Sequence, residues 1–119
     1  MTPFQAAVRF TINAGQSAGS ASITKVPTGK RLVIEYVSCE MILPVDNLAG
    51  ECLIATVVGA PPPISHRLFF NLLTNGAHGL SQLVRFYADP KTSVEIQVLR
   101  EGPTTLPVTV DATISGQLM

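Results

Sequence analysis

Turn-forming residues interrupt this chain at short intervals, and the runs between them are built from strand formers. Val, Ile and Thr number 31 of the 119 residues. Branching at Cβ makes them stiff at χ1 and suits them to a pleated surface. The interruptions fall at Asn13 to Gly19, Pro27-Thr28-Gly29, Pro44 to Gly50, Gly59 to Pro63, Thr74 to Gly79, Asp89-Pro90 and Gly102-Pro103. Helix formers are scarce, with five Glu and three Lys. This rhythm is that of an antiparallel sandwich or barrel. The length suits one domain, so residues 1–119 are expected to form a single all-β domain, an antiparallel jelly-roll-like β-sandwich of about eight strands.

The runs differ in what they demand. Phe4 to Ile12 sets Ala6, Val8, Phe10 and Ile12 on one face and Gln5, Arg9 and Thr11 on the other. Ser20 to Val26 is short. Arg31 to Leu43 is long and apolar on both faces in places, since Leu32, Ile34 and Tyr36 oppose Val33, Val37 and Met41; such a strand is central or covered by a neighbouring subunit. Glu51 to Val58 follows, then Pro61-Pro62-Pro63, a stiff extended loop. Ile64 to Leu73 reads as a strand or a short helix, because periodicity cannot arbitrate so short an apolar run. Thr74 to Gly79 is expected to be a flexible loop. Gln82 to Ala88, Ser93 to Arg100 and Leu106 to Leu118 complete the set, the last with Val108, Val110, Ala112, Ile114 and Leu118 facing in.

Charge is short. Eight basic and eight acidic residues stand where about 30 charges are usual for this length. Disorder requires the opposite balance, and zero net charge offers phosphates no basic patch, which argues against nucleic acid. A surface of roughly 6,000 Å² is thinly covered by 16 charges, so the chain is expected to bury apolar surface between copies as a homo-oligomer, a trimer or larger. The alternative is an uncharged monomer with a surface of Ser, Thr and Gly. The candidate interface residues are Tyr36, Met41, Phe69, Phe70 and Leu72. No apolar stretch approaches the ~20 residues of a membrane span, and no signal peptide is visible at Met1-Thr2-Pro3-Phe4-Gln5, which makes a cytoplasmic location the default expectation.

Cys39 and Cys52 flank a presumed hairpin loop. If Leu43 pairs with Leu48, the constant sum of an antiparallel ladder sets the two cysteines opposite each other, within reach of a disulfide. Two buried free thiols are the alternative. His66 and His78 stand alone, with no metal-ligand spacing around them, and His78, in its Gly-flanked loop, is expected to be exposed. No metal or cofactor is expected. Asp46, Asn47, Glu51, Asp89 and Asp111 are oxygen donors without the regular spacing of a calcium loop; such residues normally cap their own turns. Gly15-Gln16-Ser17-Ala18-Gly19 matches the G-x-S-x-G pattern, but that motif requires a strand–turn–helix context, and a flexible turn is the better reading.

Val26-Pro27-Thr28-Gly29-Lys30-Arg31-Leu32-Val33-Ile34-Glu35-Tyr36-Val37-Ser38 resembles a segment, V-P-x-G-K-R-L-V-I-E-x-V-S, that recurs in small bacterial proteins of unassigned function. Ile114-Ser115-Gly116-Gln117-Leu118 is similar to their closing strand, which more often has an aromatic residue where Gln117 stands. The resemblance implies a sandwich and carries no activity with it. Physically, Pro and Gly form a turn that launches a buried strand.

The leading functional expectation is therefore a non-enzymatic structural or binding module that self-associates. A lectin-like carbohydrate-binding protein is the alternative, although Trp is absent and only Tyr36 and Tyr87 carry phenols. A hydrolase using Ser17 or a histidine is the third reading.

Overall fold

A computed structural model describes residues 1–72, 76–103 and 105–119, without the side chain of Leu72. These residues form strands and no helix. The strands are β1 (Thr2–Ile12), β2 (Ala18–Lys25), β3 (Leu32–Ile42), β4 (Leu48–Thr56), β5 (Ile64–Phe69), β6 (Asn71–Leu72), β7 (Ala77–Ala88), β8 (Ser93–Glu101) and β9 (Val108–Leu118). They make two antiparallel sheets, a five-stranded one in the order β1-β9-β3-β7-β6 and a four-stranded one in the order β2-β8-β4-β5. Each run read from the sequence becomes a strand, because each has one apolar face that only a second sheet can cover.

The inward faces meet in one core. Ile12, Leu32, Ile34, Val37, Met41, Val108, Val110 and Ile114 come from the first sheet, and Ile23, Cys52, Ile54, Leu68, Val94, Ile96 and Val98 from the second. The apparent two-facedness of β3 has a local cause. Its register against β9 slips between Ile34 and Tyr36, so the inward phase runs Leu32, Ile34 and then Val37, Cys39, Met41. A bulge switches which face looks at the core. Across from it sits Gly116, where an added Cβ would overlap the Val33 carbonyl oxygen; only glycine permits this approach of β9 to β3.

Three expectations change. First, β3 and β4 lie in different sheets, so residues 43–47 cross between sheets and do not form a hairpin. The constant-sum argument assumed one ladder, whereas two strands with buried inward faces pack face to face. Second, residues 64–69 form β5 in the four-stranded sheet, and the chain then crosses at Phe70 to β6 in the other; Leu73 lies outside the described residues. Third, Ala77, His78 and Gly79 belong to β7 and not to a loop, while Thr74 and Asn75 lie outside the described residues. His78 is only 8% exposed, because it pairs with Met41 on the inward face.

The two ends of the sandwich are tied differently. At one end Arg100, 2% exposed, donates from Nε to the Gln16 carbonyl at 3.1 Å, from Nη2 to the Asn13 carbonyl at 3.3 Å, and from Nη1 to the Leu106 carbonyl at 2.5 Å and Asn47 Oδ1 at 3.3 Å. Asn47 Nδ2 in turn donates to the Pro103 carbonyl at 2.7 Å. At the other end Asp89 accepts from the Gly59 amide at 2.6 Å and from Arg31 Nη2 at 2.9 Å.

Candidate binding surfaces

A trough of about 670 Å³ lies on the outer face of the five-stranded sheet. Register builds it. One row of outward residues crosses all five strands: Arg9 on β1 opposite Asp111 on β9, Asp111 opposite Glu40 on β3, Glu40 opposite Gly79 on β7, and Gly79 opposite Asn71 on β6. The next row is Ala7, Thr113, Ser38 and Ser81. Small side chains at Ala7 and Gly79 leave the floor low, and the longer polar ones rise around it.

The trough carries polar side chains among apolar ones and is partly pre-ordered. Ser38 and Thr113 hydroxyls bond at 2.5 Å, and the Tyr36 hydroxyl bonds that of Ser81. Arg9 Nε donates to Asp111 Oδ1 at 2.6 Å. This hydrogen bond and the charge of Asp111 hold the Arg9 guanidinium above its ordinary value. Glu40 stands directly across from Asp111, an unfavourable pairing of like charges on neighbouring strands. A second hollow continues the surface along Gln5, Ala7, Tyr36, Thr113 and Ser115.

The side between β5 and β7 has a different character. β5 ends its sheet, and β6 pairs with β7 only at His78 and Gly79. From Leu80 onward, β7 has β3 as its ladder partner on one side and, among the described residues, none on the other. The gap between the sheets is closed there by the ring of His66 stacked on Phe86, with centroids 3.9 Å apart and planes at 12°. His66 Nε2 and the Thr56 hydroxyl are 3.0 Å apart, and desolvation lowers the His66 pKa. On these strands Ile64 and Phe69 of β5 and Leu83 of β7 are 58%, 67% and 83% exposed.

The residues singled out from sequence scatter over these surfaces. Phe69 is exposed on β5; Phe70 is half-buried and packs on the core; Tyr36 faces the trough region. Met41 is a correction: at 1% exposure it is core, because the β3 bulge turns it inward. The Leu72 side chain lies outside the described residues. Ser17 is in the β1–β2 loop and its carbonyl accepts from the Arg100 amide, whereas His66 is engaged by Thr56 and Phe86, and His78 Nδ1 lies 2.8 Å from the Gly76 carbonyl. The oxygen donors have protein partners: Asp46 with Asn47, Glu51 with Arg67, Asp89 with Arg31 and Asp111 with Arg9. Among the described residues no three His, Cys, Asp or Glu side chains gather as a metal centre would require.

Sequence reasoning missed Arg100 and the Arg9–Asp111–Glu40 row. Arg100 carried a signal, since it continues the inward phase of Val94, Ile96 and Val98. The charged row did not, because it depends on which strands are neighbours. No protein-family model and no curated protein matches this chain.

Proposed function

We propose that this chain is a non-enzymatic binding module of jelly-roll type that self-associates into a homo-oligomer through the side between β5 and β7. The strand orders β1-β9-β3-β7 and β2-β8-β4-β5 support the jelly-roll reading, since that architecture packs two four-stranded sheets from eight strands. The observation that carries self-association is the coincidence of strand edges unpaired among the described residues with exposed Ile64, Phe69 and Leu83. Monomeric proteins blunt such edges with Pro, charge or short strands; β7 offers only Arg85 between Leu80 and Ala88. Apolar side chains beside unmade backbone hydrogen bonds suit a second copy that supplies both. Sedimentation at micromolar concentration should give an oligomer, and Leu83→Arg with Phe69→Arg should return it to a monomer. A stable wild-type monomer overturns the reading.

A second reading rests on the trough. Its hydroxyls, the Asn71 amide and the Asp111 and Glu40 carboxylates suit a polyhydroxylated ligand such as a saccharide, whose vicinal hydroxyls donate to carboxylates. Titration against a glycan array should find ligands whose binding is lost in Glu40→Gln and Asp111→Asn. An array without binders removes this reading and leaves the first untouched.

A further inference from the structure

Cys39 and Cys52 lie on facing strands of the two sheets. Cys39 is inward on β3, between Leu80 of β7 and Ala112 of β9; Cys52 is inward on β4, between Leu68 of β5 and Val98 of β8. Both are free thiols, 3% and 0% exposed, in the same core cluster. Each enters the interior from its own sheet, and Cys52 is the neighbour that most perturbs the Cys39 thiol. Antibody-type sandwiches carry a disulfide joining their two sheets, so the span between packed sheets is one a disulfide can bridge.

We propose that Cys39 and Cys52 form an intramolecular disulfide that fastens the two sheets together, and that it is made while the chain folds. The oxidant is a small-molecule disulfide of the glutathione class. One cysteine thiolate of the open chain attacks a sulfur of that disulfide and releases one glutathione thiolate. The second cysteine thiolate then attacks the protein sulfur of the mixed disulfide and releases the other. Two thiol protons and two electrons leave the protein, and the oxidant becomes two thiols.

The folded, reduced protein resists the same reaction. Neither sulfur can be reached by glutathione disulfide at this burial. The neighbouring Cys52 thiol, and then desolvation, push the Cys39 thiol well above its ordinary range, and only the thiolate attacks. The pair is therefore a staple set during folding and not a rapid sensor of the folded state.

The test is refolding of the denatured, reduced chain in a glutathione redox buffer, compared with exposure of the folded, reduced chain to that buffer. Refolded protein should lose about 2 Da, run as a single chain on a denaturing gel without reductant, and melt roughly 10 °C higher than the reduced form. The folded, reduced sample should keep both thiols until it is unfolded. The Cys39→Ala/Cys52→Ala variant should melt at the same temperature in both buffers. Glutathione adducts, cross-linked dimers or two free thiols after oxidative refolding would overturn the disulfide. Equally fast oxidation of the folded sample would overturn its assignment to folding.

Discussion

Arg100 and Asp89 perform the same task at opposite ends of the sandwich, joining loops distant in sequence, but one is buried and the other reaches the solvent. Arg100 serves loops around residues 13–16, 47 and 106 through a single guanidinium. At the Asp89 end much of the joining is done by the backbone. The Val26 amide donates to the Thr92 carbonyl, the Lys91 amide to that of Val26, and the Asp89 amide to that of Val57, each at 2.9 Å. The carboxylate adds to a connection that already exists. Taking away a donor that is itself buried leaves several acceptors short of a partner at once, the buried Asn47 among them, whereas a single acceptor at the rim is replaced by water. The ends should therefore differ sharply in tolerance, although both look like polar loops in sequence.

The largest effect should come from Arg100→Ala. Among the described residues four acceptors lose this donor, and the variant should lose about 3 kcal/mol or more in urea unfolding. Arg100→Lys should recover less than half of this, because one ammonium cannot reproduce the fork that spans several carbonyls. Full recovery by Lys would mean that charge alone, and not the geometry of the clamp, holds this end. Asn47→Ala should cost less, about 1–2 kcal/mol. Combined with Arg100→Ala it should be distinctly non-additive, since the two share a hydrogen bond. Strict additivity in that double-mutant cycle would separate Asn47 from the clamp.

Sequence periodicity reached the elements and stopped where neighbours in space decide. The clean alternation of Val108 to Leu118 gave β9 its faces, and Val94, Ile96 and Val98 did the same for β8, because a half-buried strand has a period of two. The same period marked Arg100 as inward, a sign obscured by its charge. In β3 the period misled. A one-residue bulge swaps the faces, so Met41 resembled half of an exposed apolar face when it is core. The ladder argument that set Cys39 opposite Cys52 required one sheet, and it fails because β3 and β4 lie in different sheets. The trough depends on β9 lying between β1 and β3, a long-range choice that no local pattern encodes.

His66, toward the Asp89 end, offers a smaller and pH-dependent test. Its pKa is lowered in the folded chain by desolvation, so the unfolded chain binds a proton first as pH falls. Stability is then complete above about 6.5 and declines below it until the folded imidazole also protonates. His66→Phe keeps an aromatic ring for Phe86 to stack on and carries no titratable group. Thermal unfolding of this variant should lose the slope that the wild type shows just below pH 6.5, while at pH 8 it melts somewhat lower because the buried Thr56 hydroxyl loses its partner. An unchanged slope would assign that dependence elsewhere and make the closure of the β5–β7 side insensitive to imidazole charge.

Asp89→Asn should have the smallest effect, and its pH dependence has the same direction over a lower range. The Gly59 amide first, and Arg31 after it, hold the Asp89 carboxyl below its ordinary value, outweighing desolvation. Here too the unfolded chain takes the proton first. The stabilisation is present above about 3.9, the unfolded value, and disappears as pH falls through the lower folded one. Asparagine can still accept from Gly59 but cannot attract Arg31 as a charge. Wild type and variant should therefore differ slightly at pH 7, converge as pH drops below 4, and differ less in high salt, which screens the exposed Arg31 side of the contact. A loss at pH 7 as large as that of Arg100→Ala would erase the distinction between the ends. It would mean that the backbone bonds around Val26, Val57 and Thr92 hold only while the carboxylate is in place.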